Sequence, residues 1–328
     1  MAKSDKGSKK SQAKAAVVTS AKAAGTKAAG KKAGGAKSFV LDPEGPPEVR
    51  PAELLRLPDG PITLAQLSTE RLPGVPKDKA DALARMEAMA PRLAELQERL
   101  FAASTAGDRR RVLLVLQGMD TAGKDGVIKH AMGLLDPAGV ELSSFKRPTA
   151  EELEHDFLWR IERKVPAPGI IGVFNRSHYE DVLIARVHDL VPREVWTKRY
   201  AAINAFERRL ARSGVTIVKC FLHVSFEVQA ERLAARLDDP TKFWKFNPAD
   251  VDERAYWEAY QEAYRVALTR CSTTAAPWYV IPSDHKWYRN WAVAALLLET
   301  LEKLDPQYPA ATYDVDEQKA RLAAQLAP

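Results

Sequence analysis

The sequence predicts an α/β fold of three layers, in which a central parallel sheet lies between helices. One observation is the segment 111–117 (RVLLVLQ), an almost unbroken aliphatic run of the kind that a strand buried on both faces requires. A second is the regular alternation of strand-like and helix-like segments over the rest of the chain, which favours parallel pairing of the strands. The further strand candidates are 140–145, 170–174, 215–222 and 278–281.

Apolar residues at helical spacing fill the intervals between the strand candidates. The segment 79–104 reads as an amphipathic helix, in which Pro91 is expected to start or kink one part. Pro192 suits the start of a helix, and Gly214 suits the residue just past a helix end. The Pro-rich residues 38–78 are expected to form an irregular arm over the domain surface. The other helical candidates are 124–134, 151–163, 179–188, 193–212, 226–237, 252–270 and 287–304.

The positive charge of the chain is concentrated in its first residues. Residues 1–37 contain ten lysines and a single acid, Asp5, and they are otherwise mostly Ala, Gly and Ser. Since the whole chain carries +6, the remaining residues together carry about −3. A segment with so little apolar surface cannot offset its ordering entropy, so we expect a disordered tail. Such a tail suits a polyanion, but a merely solubilising extension is an equally good interpretation.

Cysteine content and hydropathy favour a cytoplasmic protein. The two cysteines, Cys220 and Cys271, give neither a disulfide framework nor metal-ligand spacing, which suits a reducing compartment. Apolar runs are broken by charges within about ten residues, which is shorter than a membrane span. The start of the chain also lacks the apolar stretch of a secretory signal. We therefore expect no membrane association.

A phosphate-binding loop follows the first strand candidate. Gly118–Gly126 (GMDTAGKDG) fits the pattern G-x-x-x-x-G-K, but Asp125 replaces the Ser or Thr that usually follows the lysine. Glycines let the backbone N–H groups wrap around a phosphate, and the next helix directs its positive end at the same anion. A plain strand-to-helix turn would explain the glycines but not Lys124. The segment is therefore predicted to bind phosphate.

Carboxylates in this loop indicate a divalent cation. Asp120 and Asp125 would repel a bound phosphate unless a cation such as Mg²⁺ lay between them. Asp120 is the better candidate ligand, since Asp125 equally suits a helix start that complements the dipole.

A second polar segment follows the strand candidate 170–174. Asn175, Arg176 and Ser177 end this strand, and Glu180 and Asp181 open the next helical segment. Strand ends beside a phosphate loop are where such folds place their second metal- and phosphate-handling group. Asn175 can offer Mg²⁺ a neutral oxygen, and Arg176 can meet phosphate.

Four motifs in order resemble the polyphosphate kinase type 2 family. They are GMDTAGKDG, FKRPT (145–149), FNRSHYEDVL and DDPTKFWKFNPADVDER (238–254). The resemblance covers roughly residues 75–308 and is greatest to the subgroup that accepts both nucleoside mono- and diphosphates. It implies a thymidylate-kinase-like P-loop fold, Mg²⁺ dependence, and reversible transfer between polyphosphate and nucleotide. Asn is common in that subgroup at the position of Asn175, and an acid at the position of Glu180 is associated with monophosphate acceptors.

The resemblance and the residues together give a set of expected roles. Residues 38–328 are expected to form one catalytic domain, and the protein is expected to be a homo-oligomer, although the sequence fixes no oligomeric state. The expected catalytic residues are Asp120, Lys124, Arg176 and Arg236, with Asp120 and Asn175 as Mg²⁺ ligands. The expected nucleotide- and phosphate-binding residues are Gly118, Met119, Thr121, Ala122, Gly123, Asp125, Gly126, Lys146, Arg147, Asn175, Ser177 and Glu180.

Cations interleaved with aromatic residues predict a lid at about 232–254. P-loop kinases close such a segment over the transferring phosphate, which excludes water and neutralises charge. A surface helix whose long side chains cover apolar area is the alternative. The residues expected to line a polyphosphate channel are Arg232, Lys242, Lys245, Lys286 and Arg289.

Three functions remain open on the sequence alone. Polyphosphate-dependent phosphorylation of AMP, ADP or their guanine counterparts needs no protein nucleophile, because a nucleotide phosphate attacks. An ATP-dependent nucleotide or small-molecule kinase would share the loop, and a donor assay separates the two. A nucleic-acid-binding protein would rely on residues 1–37, but the acidic body contains no recognisable nucleic-acid module. Base preference, chain-length preference and direction in vivo do not follow from the residues.

Overall fold

The computed structural model describes residues 50–74 and 76–326, and it contains a five-stranded parallel sheet in the order β2-β3-β1-β4-β5. The predicted strands and their parallel pairing are confirmed. The expected disordered tail over 1–37 and residues 38–49 of the irregular arm expected over 38–78 lie outside the described residues. The described part of that arm differs from the expectation, because it begins with a short helix at Pro51–Leu55 and buries Leu55, Leu57 and Leu64 in the core. The strands are β1 (Arg111–Gln117), β2 (Val140–Ser144), β3 (Ile171–Asn175), β4 (Val215–His223) and β5 (Trp278–Pro282).

Twelve α-helices of the described residues surround the sheet. They are α1 (Pro51–Leu55), α2 (Lys79–Thr105), α3 (Lys124–His130), α4 (Ala150–Leu153), α5 (Trp159–Glu162), α6 (Ile184–Val187), α7 (Arg193–Arg212), α8 (Phe226–Leu237), α9 (Ala249–Asp252), α10 (Trp257–Cys271), α11 (Lys286–Leu304) and α12 (Val315–Leu326). Short 3-10 helices lie at Leu64–Gln66, Met132–Leu134, Pro137–Gly139, His178–Val182, Pro240–Lys245 and Glu253–Tyr256.

The central position of β1 follows from its composition. Every residue of this strand after Arg111 is buried, because β3 covers one edge, β4 covers the other and helices cover the faces. Helix α2 packs on α11, while α7 packs on β4 and α10. In the sheet Leu116 pairs with Asn175 on one side and with Cys220 on the other. The residues that follow β1 and β3 therefore meet at the carboxyl edge of the sheet.

Several helices differ from the prediction. The helix over 79–105 continues through Pro91 as one element, so the proline neither starts nor ends it. The predicted helices over 151–163 and 179–188 are each divided into two short pieces, and 252–270 begins as α9 and a 3-10 turn before α10. Helix α12 was not predicted, and none of its residues is buried.

Candidate active site

The loop between β1 and α3 has the backbone geometry that phosphate binding needs. Gly118, Thr121 and Gly123 all have positive φ, at 155°, 62° and 107°. Gly123 immediately precedes α3, so the loop leads directly into a helix N-terminus, where N–H groups face an anion. A Cβ at Gly118 would lie 2.6 Å from the carbonyl oxygen of Leu222, which explains the glycine there. The loop is thus held against the neighbouring strand β4.

Two arginine side chains donate hydrogen bonds to carbonyl oxygens of this loop. Arg289 is 3% exposed, and its Nη1 donates to the carbonyl oxygen of Ala122 at 3.0 Å. A Cβ on Gly123 or Gly126 would collide with its guanidinium, at 1.8 and 2.4 Å. Arg232 donates to the carbonyl oxygens of Thr121 and Ala122, at 2.9 and 3.3 Å. Both arginines were expected in a polyphosphate channel, but the structure places their guanidinium groups under the loop.

Lys124 folds back over the loop that precedes it. Its Nζ donates to the carbonyl oxygens of Gly118 and Met119 at 2.7 and 3.2 Å, and the side chain is 9% exposed. Burial lowers the pKa of this ammonium group, and the nearby charge of Asp120 partly offsets that effect. The lysine is therefore positioned inside the loop, where it can add a point charge to a bound phosphate.

The exit of β3 brings a second set of predicted residues to the same edge. Asn175 Nδ2 donates to Asp125 Oδ1 at 3.0 Å, which joins β3 to the start of α3. Arg176 has φ of 63°, a left-handed conformation that is rare for a residue with a side chain. Its Nη2 donates to Asp120 Oδ1 at 2.9 Å, and its Nη1 lies 3.6 Å from Glu180 Oε2. Local backbone strain thus turns the guanidinium toward the loop.

Charges at the site stabilise one another. Burial disfavours the ionised form of Asp120, but Lys124, Arg176 and Arg236 offset this and hold the pKa of its carboxyl below the usual value. Glu180 and Asp120 raise the pKa of Arg176 against the effect of burial. Both shifts favour the charged forms of Asp120 and Arg176, which form a polar surface beside the loop.

A buried network fixes the segment that follows Arg176. Lys219, on β4, donates to Tyr179 Oη at 2.8 Å and to Glu207 Oε2 at 2.7 Å. His178 Nε2 lies 3.2 Å from Glu207 Oε1. All four side chains are at most 1% exposed. Because His178 and Tyr179 directly precede Glu180, this network fixes the backbone that positions Glu180.

The amide of Gln117 joins the two strand exits. Oriented with its nitrogen toward Glu180, it donates to Glu180 Oε1 at 3.0 Å, and its oxygen accepts from Ser177 Oγ at 3.0 Å. Ser177 Oγ also accepts from the N–H of Tyr179 at 3.2 Å. Gln117 was not among the predicted site residues, although its position directly before the loop is a signal that could have identified it.

The predicted lid consists of short helices tied to α8. Arg236 Nη1 donates to the carbonyl oxygen of Lys245 at 2.9 Å and to Asp250 Oδ2 at 3.2 Å. Arg254 donates to Gln229 Oε1 at 2.6 Å, and its guanidinium lies 3.8 Å from the ring centroid of Phe226. The segment is thus attached through arginines rather than through an apolar core. Phe243 and Trp244 are 53% and 79% exposed.

A pocket lies between the loop, the β3 exit and the lid segment. The residues that line it are Gly118, Met119, Asp120, Arg176, Glu180, Leu183, Gln229, Asp250, Glu253, Tyr260 and Tyr264. Tyr260 donates to Glu253 Oε2 at 2.9 Å, and the same oxygen lies 3.0 Å from His188 Nε2. Asp250 and Glu253 belong to the predicted lid segment but were not among the predicted site residues, and Tyr260 and Tyr264 follow that segment on α10. Sequence reasoning missed these wall residues because it considered only the cations of the lid.

The other lysines and arginines predicted to bind phosphate or polyphosphate lie in more exposed parts of the structure. Burial lowers the pKa of Lys286, and the positive charges of Arg232, Arg289 and Lys242 lower it further, which places these groups near one another. Lys242 forms an ion pair of 2.6 Å with Asp239, and Lys245 lies over the ring of Trp244. Lys146 and Arg147 are exposed and follow the end of β2. These two residues, like the lysines, are available to solvent.

The oxygen-rich edge of the sheet suits a hard cation. Within residues 50–74 and 76–326, no group of three or more His, Cys, Asp or Glu side chains converges on one point. Mg²⁺ needs no such cage, since it keeps several waters and is held by one or two carboxylates with substrate phosphates. Burial and the charge of Asp120 raise the pKa of Asp250, so two carboxylates face the same pocket. The donor set therefore fits Mg²⁺, although Asp120 pairs with Arg176 in this conformation.

No helix in the described part of the chain is both long enough and apolar enough to cross a membrane. Cys220 and Cys271 are free and buried, and burial raises the pKa of both thiols.

Comparisons with known proteins identify a family. Residues 76–309 match the family model described as polyphosphate kinase 2 (PPK2). The chain is 48% identical over 252 residues to the AMP/ADP-polyphosphate phosphotransferase of Meiothermus ruber, which covers 77% of this chain and 93% of that protein. It is 46% identical over 233 residues to the ADP-polyphosphate phosphotransferase of Rhodopseudomonas palustris, or 67% of this chain and 79% of that one.

Solved structures give the same relationship. Polyphosphate kinase 2 from Arthrobacter aurescens TC1 superposes with a TM-score of 0.82 at 51% identity, covering 84% of this chain and 97% of that one. The putative polyphosphate kinase 2 from Pseudomonas aeruginosa gives a TM-score of 0.67 at 30% identity, over 74% of this chain and 51% of that one. With a matched family model, similar relatives and a shared fold, the chain belongs to the polyphosphate kinase 2 family.

Proposed function

We propose that this protein is a polyphosphate-dependent nucleotide phosphotransferase, which transfers a phosphoryl group reversibly between inorganic polyphosphate and AMP or ADP. The observation that carries the proposal is the 48% identity to the AMP/ADP-polyphosphate phosphotransferase of Meiothermus ruber over 93% of that protein. The geometry supports it, because the phosphate loop, Arg176 and several carboxylates line one pocket, and Arg236 pairs with one of these carboxylates, that of Asp250.

The chain supplies binding and electrostatic stabilisation rather than a nucleophile. The backbone of 118–123 and Lys124 hold one phosphate, and Arg176 and Arg236 approach from the β3 exit and the lid. Holding donor and acceptor in line, with fixed cations around the transferred group, is what phosphoryl transfer requires. The attacking atom is an oxygen of the nucleotide phosphate, so no Ser, Cys or His need act.

Asp120 and Asn175 are the residues of this chain that would hold Mg²⁺ at the sheet edge. The cation would supply positive charge that stabilises the transferring phosphoryl group. Arg176 now occupies one oxygen of Asp120 at 2.9 Å. Arg176 lines the same pocket, where its guanidinium would contact a substrate phosphate. Asp125 is tied to Asn175 Nδ2, which leaves the amide oxygen of Asn175 for the metal.

The polyphosphate chain would lie along the exposed lysines of the lid side. Lys242, Lys245 and Lys286 are solvent-accessible and can meet successive phosphates. We assign Arg232 and Arg289 to support of the loop instead, since their guanidinium groups donate to loop carbonyl oxygens. The segment 232–254 would close over the transferring group and exclude water.

Product analysis tests the proposal. Purified protein is incubated with Mg²⁺, long-chain polyphosphate and either AMP or ADP, and nucleotides are resolved by chromatography. ADP and then ATP should accumulate from AMP, ATP should accumulate from ADP, and chelation of the metal should abolish both. Absence of any new nucleotide with intact, folded protein would overturn the proposal.

A further inference from the structure

A second concave and positively charged surface lies at the amino edge of the sheet, opposite the phosphate loop. It is an open pocket of about 520 Å³, which we call the amino-edge pocket, formed where the loop before β1 meets the end of α7. Arg109, Arg110, Arg209 and Arg212 line it. Since β1 has seven residues, the pocket is roughly 20 Å from the phosphate loop along the strand direction.

Positive charge in the amino-edge pocket is only partly neutralised. Asp108 Oδ2 accepts from Arg110 Nε and Nη2 at 2.8 and 2.6 Å, and Glu162 Oε1 accepts from Arg209 Nη1 at 2.5 Å. Arg109 and Arg212 are exposed and have no hydrogen bond or ion pair through their side chains with any described residue. Two guanidinium groups, each with five N–H donors, are therefore available to a ligand.

Arg111, which follows the pocket residue Arg110 in the chain, adds to the excess of positive charge near the pocket. Burial lowers the pKa of its guanidinium, and the charge of Arg109 lowers it further. Its Nη2 donates to Ser213 Oγ at 3.2 Å, but its buried Nε has no partner. An anion in the pocket would relieve this concentration of positive charge.

The donor geometry of the guanidinium group indicates which class of anion the amino-edge pocket can bind. Arginine binds phosphate through paired N–H donors, which match two oxygens of one phosphate group. Single-stranded nucleic acids also need aromatic rings on which bases stack. The described residues that line the pocket include no aromatic side chain. A bare phosphate chain therefore fits the pocket better than a nucleic acid does.

We propose that the amino-edge pocket binds a distal stretch of the inorganic polyphosphate donor, an inference that rests on the proposed function. A long chain can occupy this pocket and the active site together. The second contact is then intramolecular and raises the apparent affinity without changing the chemistry. Tripolyphosphate is too short to reach both places and gains nothing from it.

The test removes the two unpaired arginines. The variant Arg109→Ala/Arg212→Ala is compared with Lys319→Ala/Arg321→Ala, which removes the same charge from α12, a helix that contributes nothing to the pocket. Two quantities are measured, namely KM for long-chain polyphosphate and for tripolyphosphate, and binding of labelled long-chain polyphosphate across a salt series.

In the arginine variant, KM for the long chain should rise about 2- to 30-fold, the range that two exposed ion pairs supply. The KM for tripolyphosphate and kcat should not change. The slope of log affinity against log[salt] should fall by about two units, one for each cation removed. The control should show the wild-type slope.

Three outcomes would overturn the inference. One is a long-chain KM and a salt slope equal to those of the control variant. Another is an equal rise in KM for both chain lengths. The third is an oligonucleotide that displaces the labelled chain from this pocket more readily than unlabelled polyphosphate does. A wild-type protein without polyphosphate-dependent transfer would refute the proposed function, and the binding series would still decide whether the pocket holds a phosphate chain.

Discussion

The buried pair of Lys219 and Glu207 allows a quantitative stability prediction for Lys219→Met. The ammonium group donates to Tyr179 Oη, Glu207 Oε2 and the carbonyl oxygen of Cys271 at 2.8, 2.7 and 2.6 Å. Methionine has a similar shape but leaves Glu207 ionised without its cation in an interior where both side chains are 0% exposed. Breaking such a pair costs about 3–5 kcal/mol of unfolding free energy. At this chain length the loss corresponds to a fall in Tm of roughly 10 °C.

Urea denaturation at pH 7, followed by circular dichroism, measures the loss. The double variant Lys219→Met/Glu207→Met is the matched control, because it removes both charges at nearly constant volume. It should recover part of the loss, since replacement of a buried pair by apolar groups is often close to neutral. Tyr179 Oη and His178 remain without their partners, so recovery should be incomplete. The reasoning would be refuted if Lys219→Met lost less than about 1 kcal/mol of unfolding free energy. It would also be refuted if the loss in the double variant equalled the sum of the losses in Lys219→Met and in the single variant Glu207→Met.

Three further predictions concern charge at the site, and a fourth concerns the buried network beside it. Lys124→Ala should leave Tm unchanged and lower kcat by about 10²-fold or more, because one preorganised charge is lost; near-normal turnover in steady-state assays would contradict this. Glu180→Asn should lower kcat/KM for AMP more than for ADP, and an equal fall for both acceptors would make Glu180 a general structural residue. Lys242→Ala/Lys245→Ala should reduce the salt slope of KM for polyphosphate by roughly one to two units, while the slope for AMP stays the same. Burial opposes ionisation of Glu207, but Lys219 and His178 offset this effect and hold the pKa of its carboxyl below the usual 4.5. The contribution of the ionised carboxylate to the unfolding free energy is therefore present above pH 4.5 and should be lost as the pH falls below it. Acid titration of Tm in wild type and in Lys219→Met can detect this loss.

The sheet could be predicted because its signals are local. The central strands β1, β3 and β4 are short runs rich in aliphatic residues, and the segments between the strands are long enough for a helix. The prediction of one helix over 179–188 was wrong for a long-range reason. Tyr179 and His178 are held by Lys219 and Glu207, which stand roughly 30 to 40 positions later in the chain. The backbone there forms a 3-10 turn before α6, and helical periodicity alone contains no information about these partners.

The position of the candidate site was predictable where the residue pattern itself indicates phosphate chemistry, but the roles of its residues stay predictions. The glycines and Lys124 of the loop, and Arg176 at the end of β3, follow from spacing after a strand. The hydrogen bonds of Arg232 and Arg289 to the loop were not predictable, because the sequence does not show whether an arginine lies at the surface or packs against the loop. Their functions depend on burial, which only the packed structure supplies.

A donor competition tests the central claim most directly. AMP is incubated with Mg²⁺ and equal phosphoryl concentrations of ³²P-labelled polyphosphate and unlabelled ATP, and the label in newly formed ADP is counted. The account predicts that polyphosphate supplies most of the transferred phosphoryl groups, and that Lys124→Ala abolishes the transfer of label. Unlabelled ADP formed from ATP, with little label transferred, would identify an ordinary ATP-dependent kinase and contradict the account.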